Sequence, residues 1–212
     1  MHTKLTLTFA TLALSLVAFG QALDTPFQIR YAANLTAGDS VINLTNTGAN
    51  GAPLNGPGFG GSVGNICVNV YAFSPDEQLI SCCSCPITPN GLVNLSVNQD
   101  LVNNTLTGVK PNSIVVKLLS TTTNGGSCTN SAATAGVGNF QIIPGMLAWG
   151  TTIHAAPVAG TFAVTETAFI PATLSAGELA SITNRCTNII GNGSGFGICR
   201  SCRAGGAFSS RL

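Results

Sequence analysis

Eight cysteines, Cys67, Cys82, Cys83, Cys85, Cys128, Cys186, Cys199 and Cys202, constrain this chain of 212 residues more than any other feature. Even sets of cysteine become bridges where the compartment is oxidising, and the N-terminus predicts such a compartment. Residues 1–22 carry Lys4, an apolar stretch over 5–19, and small residues at Gly20 and Ala22, which is the pattern a signal peptidase reads. The stretch falls short of the roughly twenty apolar residues that span a bilayer. Cleavage is expected after Ala22, with no cysteine there to carry a lipid. Residues 23–212 then form one secreted, extracellular or periplasmic domain without membrane insertion.

Eight thiols allow 105 pairings, and local geometry narrows them. A tight turn at Ser74-Pro75-Asp76-Glu77 brings Cys67 opposite positions 83–85, within reach of one of those cysteines. Cys186 sits on the apolar stripe of a predicted helix and can staple it to the sheet. Cys199 and Cys202 then need partners in the 82–85 cluster, at Cys128, or in each other. Cys82-x-x-Cys85 and Cys199-x-x-Cys202 also suggest a tetrathiolate metal site, but they stand much farther apart than the about 15–20 residues usual for zinc. A redox pair wants its first cysteine at a helix N-terminus, and Cys199 follows Gly193-Ser194-Gly195-Phe196-Gly197 with no helical pattern behind it. Structural disulfides are the expected state, and no cofactor or metal is implied.

The rest of the pattern is mostly β. Phe27, Ile29 and Tyr31 alternate with Gln28 and Arg30, the period of a half-buried strand. Further strands are expected over 40–46, 66–73, 78–85, 92–97, 114–119, 147–153 and from Phe162, with turn residues between them. That recurrence predicts an antiparallel β-sandwich. In 66–73, Ile66, Val68, Val70 and Ala72 occupy one face and Cys67, Asn69, Tyr71 and Phe73 the other, so a central strand covered on both sides is expected. The 114–119 strand reads as fully buried. Residues 47–64 are rich in Gly, Asn and Pro, with Phe59 as their large side chain, and form a long surface loop. One helix is expected over about 175–190. Ser175-Ala176-Gly177-Glu178 is a capping box, Leu179, Ile182, Cys186 and Ile189 lay the apolar stripe, and Gly191 is the expected left-handed stop.

Charge excludes several functions. Only 7% of residues are charged, against about 25% in ordinary soluble proteins. Once Lys4 leaves with the leader, seven basic residues balance seven acidic ones. Such a chain offers no field to collect nucleic acid or anionic lipid. Past the leader, His154 is the single histidine, expected as an exposed or hydrogen-bonded sheet residue. Asp76 and Glu77 are turn residues and a poor glycosidase pair. Glu166, if its face is buried, needs Arg30, Lys117 or Arg185 beside it. The chain is therefore not expected to be an enzyme. Asn34, Asn43, Asn94, Asn103 and Asn192 each head a triplet of the glycosylation acceptor form.

The run Val68-Asn69-Val70-Tyr71-Ala72-Phe73, its turn, and Thr88-Pro89-Asn90-Gly91 before the next strand resemble the sandwich modules of transthyretin-like and collagen-adhesin B-type proteins. The stretch 66–78 with Cys82-Cys83-Ser84-Cys85, together with 192–199, resembles a group of exported cysteine-rich proteins of soil bacteria. That likeness implies export and no activity. The leading expectation is a secreted or cell-surface structural protein that assembles with itself into fibres or a layer, with Phe27, Ile29 and Tyr31 as the strand donated to a neighbour. The alternative is a module that binds carbohydrate or a cell-wall polymer through Phe59 and its loop. The third is a CxxC thiol redox protein.

Overall fold

The computed structural model describes residues 24–55, 61–129, 132–200 and 203–204. Two five-stranded antiparallel sheets face each other. The first has the order β4 (Leu79–Ile87), β3 (Ile66–Phe73), β6 (Ile114–Thr122), β1 (Phe27–Ala32), β9 (Ile170–Pro171). The second runs β10 (Arg203–Ala204), β5 (Leu92–Ser96), β2 (Val41–Asn46), β7 (Met146–Ala155), β8 (Phe162–Ala168). Among the described residues one long helix, α1 (Ala176–Gly191), lies on the outer face of the first sheet. The molecule is a disulfide-stapled antiparallel β-sandwich with a C-terminal helix.

Alternation along each strand builds the layers. Val68, Val70, Val116 and Leu118 from the first sheet meet Ile42, Leu44, Leu95 and Ala148 from the second. Complete burial of one such aliphatic side chain contributes about 1.5–3 kcal/mol. On the other phase, Phe27, Tyr71, Cys82 and Leu119 pack against Ile182, Cys186 and Ile189 of α1. The first sheet is therefore covered twice, as the two apolar phases of residues 66–73 predict. The 114–119 segment departs from expectation. It extends to Thr122, and Val115 is exposed beyond the helix.

Ser175 caps α1 by accepting from the Glu178 N–H at 3.1 Å. Glu178 does not close the box; its carboxylate takes the Lys117 ammonium at 2.5 Å and ties the first turn of the helix to β6. Lys117 also lies 4.8 Å from the centre of the Phe73 ring, within cation–π range. The expected stop at Gly191 is corrected as well. Gly191 remains helical, Asn192 is the C-cap, and the left-handed residue is Gly193 at φ 68°.

Three bridges lock these layers. Cys82–Cys186 fastens α1 to the sheet, Cys83–Cys199 fastens the tail behind the helix, and Cys67–Cys128 fastens the loop after β6. Cys85 is also disulfide-bonded, and Cys202 lies outside the described residues. Cys67 does not reach the 83–85 cluster. A bulge between Ala72 and Phe73 on β3 and their partners on β4 lengthens the hairpin, so Cys67 faces Pro86. The strand period then leaves Cys67 on the outer face while Cys83 and Cys85 point into the core.

The tail also seals an edge. Gly193, Gly195 and Gly197 are all left-handed, which doubles the chain back from α1 onto β4. There the Cys82 N–H donates to the Gly197 carbonyl at 2.9 Å, and the Leu106 N–H donates to the Ile80 carbonyl at 2.8 Å. A Cβ on Gly197 would stand 2.6 Å from Ile189 Cγ2. Gly197→Ala is therefore expected to cost about 2–4 kcal/mol, from the left-handed backbone and the overpacking together, read by denaturant unfolding with the bridges intact.

Tyr71 is fully buried beneath the 132–135 turn, where its phenol donates to the Ala132 carbonyl at 2.5 Å. Burial pushes its pKa well above the ordinary value near 10. The folded state thus holds a proton that the unfolded chain releases. This contribution is complete below about pH 10 and is lost as pH rises from there towards the folded value. Stability measured at pH 8 and pH 11 should fall in the native chain. In Tyr71→Phe that part of the fall should vanish, at a cost of about 1 kcal/mol at pH 8 from the lost hydrogen bond.

Candidate functional site

Among the described residues no helix lies over the outer face of the second sheet, and at one end of that face Gly38 lies against the buried Ile153. Val93, Leu95, Ile42, Leu44, Met146 and Ala148 point into the core, so the alternate residues of β5, β2, β7 and β8 point outward. In register across the centre stand Asn94, Asn43, Trp149 and Ala168. The Asn94 amide donates to Asn43 Oδ1, and Asn43 Nδ2 donates to Glu166 Oε1 at 2.7 Å. A polar row thus runs across three strands beside a half-buried indole.

At one end of this sheet is β8, a seven-residue strand with every residue from Phe162 to Thr167 exposed. Among the described residues it pairs with β7 alone. The Phe169 N–H donates to the Ala148 carbonyl at 2.8 Å in continuation of that register. Alternation therefore turns the backbone groups of Ala163, Thr165 and Thr167 towards β7 and those of Phe162, Val164 and Glu166 outward. The other edges are short or partly bonded: β9 and β10 have two residues each, β9 carries Pro171, and β4 is met by Leu106 at Ile80 and by the tail at Cys82. Phe162 and Val164, 47% and 60% exposed, add apolar surface to the free edge.

Arg30 holds β8 in place from behind. It points inward from β1, donating through Nη1 to the Thr167 carbonyl at 2.9 Å and through Nη2 to Thr152 Oγ1 at 2.7 Å. Burial lowers its pKa, with Tyr31 and Glu166 acting against that shift; a guanidinium stays charged regardless. Gly150 makes the room, since a Cβ there would lie 2.6 Å from Arg30 Nε.

Several sequence expectations resolve here. Glu166 is not buried and takes no cation as a salt-bridge partner; it is exposed and bonded to Asn43. Lys117 pairs with Glu178 instead, and Arg185 donates to the Glu77 carbonyl at 2.8 Å. His154 is an exposed sheet residue, 2.8 Å from Thr165 Oγ1. Phe27 is buried under α1, Ile29 is half-buried and Tyr31 is 58% exposed. Their strand lies between β6 and β9 of its own sheet, with six register pairs to β6 alone. Phe59 lies outside the described residues. The two CxxC motifs do not form internal pairs: Cys82 bonds Cys186 and Cys199 bonds Cys83. Cys82, Cys83 and Cys85 are buried on a strand and disulfide-bonded.

Sequence reasoning missed Asn43 and Asn94 as site residues. Their signal was the polar phase of the 41–45 and 92–96 alternations. No family model, curated protein or solved structure matches the chain. Among the described residues, no helix is long and apolar enough to cross a membrane.

Gly150→Ala should push Arg30 off Thr152 and Thr167. The expected result is a loss of about 1–3 kcal/mol and faster hydrogen exchange at the β7-facing amides Ala163, Thr165 and Thr167, with the core of the first sheet unaffected.

Proposed function

We propose that the protein is an exported structural subunit of the cell surface or its surroundings, assembling with copies of itself through the edge of β8. The observation behind this reading is that edge: seven residues long, unbulged, without proline, and bordered by exposed Phe162 and Val164. Unpaired strand edges of this kind add strands from another chain unless charge, proline or a cover prevents it. The single charge on β8, Glu166, is directed onto Asn43 across the face. Two copies of β8 meeting antiparallel would join two second sheets into one.

Balanced charge supports the reading, because little repulsion opposes association. The bridges fit an oxidising compartment outside the cytoplasm, and residues 1–22 supply the export signal. A two-fold β8 contact closes on itself as a dimer, and a fibre needs a further contact. Tyr31 and Val115, in register on the outer face of the first sheet, and Ile170 beside Ile29 offer an apolar patch for it. Donation of β1 to a neighbour, by contrast, would first require breaking its own pairing with β6.

The test is the oligomeric state of the mature chain by sedimentation and negative-stain microscopy. Native protein should associate below about 100 μM. Val164→Pro removes an outward N–H without touching the bonds to β7, and Val164→Lys puts charge on the edge; both should weaken association by about tenfold or more. A native chain that stays monomeric, or assemblies indifferent to both variants, would rule out the β8 edge.

A further inference from the structure

We infer that the contact proposed above between copies of β8 has one fixed register, with Val164 on the two-fold axis and Phe162 of each copy beside Glu166 of the other. This register rests on that proposed self-association and adds which residues of a second copy the edge accepts.

Backbone pairing limits the choice. β8 follows β7 without a bulge from the Ala155–Phe162 pair to the Trp149–Ala168 pair, so its outward N–H and C=O groups recur at Phe162, Val164 and Glu166. Ala168 is next in that phase, but it is half-buried, and there the chain leaves the sheet for the buried Phe169 and for β9. Residues that exchange both bonds stand directly opposite each other in an antiparallel pair. All three outward residues find counterparts when Val164 faces Val164 and Phe162 faces Glu166. An axis at Ala163 or at Thr165 leaves one of the three without a counterpart. An axis between two residues sets outward groups against inward ones and makes no bonds.

Side chains favour the same register. Val164, 60% exposed in a single copy, meets its own counterpart, apolar against apolar. The two Glu166 residues then lie four positions apart along the strand, about 14 Å, which exceeds the screening length of about 8 Å at physiological salt. An axis at Thr165 would bring them to a diagonal of about 7–8 Å. Glu166 turns its carboxylate away from the edge, accepting from Asn43 Nδ2 at 2.7 Å, so the Phe162 ring of the second copy meets its methylene stem. On the other face, the close pairs without backbone bonds set Ala163 against Thr165. The small Ala163 leaves room for Thr165, whose hydroxyl stays 2.8 Å from His154 Nε2.

The experiment adds one cysteine at a time to the mature chain with its native bridges formed. Val164→Cys sets two thiols in a hydrogen-bonded pair with Cα atoms about 5.5 Å apart, inside disulfide range. Thr165→Cys sets them on a diagonal of about 7–8 Å, outside it. Val158→Cys, exposed in the turn before β8, controls for random collision. Under air, Val164→Cys should form covalent dimers at least about tenfold faster than the other two. Charge reports the second pair: Phe162→Lys should associate at least about tenfold more tightly than Phe162→Glu. With rising concentration, hydrogen exchange should slow at the Phe162, Val164 and Glu166 amides and not at Ala163, Thr165 and Thr167, which already bond to β7. A native chain that stays monomeric overturns the edge and the register together. Faster linkage through Thr165→Cys, or equal affinities of Phe162→Lys and Phe162→Glu in a chain that does associate, overturns the register and leaves the edge standing.

Discussion

Two adjacent residues on β4 hold the molecule together. Cys82 and Cys83 are neighbours in sequence, and a strand's two-residue period sends them to opposite faces. Cys82 takes the helix through Cys186, and Cys83 takes the tail through Cys199. Bridges closing loops with sequence separations of 104 and 116 residues each remove about 4–5 kcal/mol of unfolded-state entropy in the chain-entropy account. The loops overlap, so the two do not add in full. Their structural consequence is larger than either figure, since a helix whose buried stripe is Ile182, Cys186 and Ile189 would otherwise cover the sheet with little apolar area.

The bridges from Cys67, Cys82 and Cys83 converge on the first sheet: the helix over its outer face, the loop bridged through Cys128, and the tail along β4. The second sheet is held by core packing, by polar ties from β1, by the bond from Asn46 to the Ile87 carbonyl of β4, and by the tail, whose β10 pairs with β5. Gln28 donates to the Met146 carbonyl at 2.9 Å, and Arg30 reaches Thr152 and Thr167. On that sheet's outer face Asn43, Asn94 and Glu166 are bonded to one another, and at its edge the backbone groups of Phe162, Val164 and Glu166 turn away from β7.

Most of the architecture was legible in alternation. Ile66, Val68, Val70 and Ala72 against Cys67, Asn69, Tyr71 and Phe73 marked a doubly covered strand, and Ser175 with Leu179, Ile182, Cys186 and Ile189 marked the helix and its bridge. What failed was whatever depended on register. One bulge near Ala72 set Cys67 opposite Pro86 and turned Cys83 and Cys85 to the inner face, away from it, and no local pattern announces a bulge. The site failed for a related reason. Asn43, Asn94, Trp149 and Glu166 come from four strands, and each reads alone as an ordinary polar or aromatic residue on an alternating strand. Only the sheet order places them in one row. Attention to Phe59 followed from its being the large residue in a long loop, whereas the sheet presents its aromatic from a strand interior.

Scarcity of charge links the fold to these surfaces. A chain with few ionic groups can still close its structure if each one is used, and several here serve that end. Lys117 and Glu178 join helix to sheet, Arg185 supports the backbone at Glu77, whose φ of 65° is left-handed, and Arg30 bridges the two sheets. Glu166, on the open face, is held by a neutral amide rather than a cation. The outward side chains of β5, β2, β7 and β8 thus carry one carboxylate and no Lys or Arg, whereas the first sheet and its helix use their cations to hold one layer to the next.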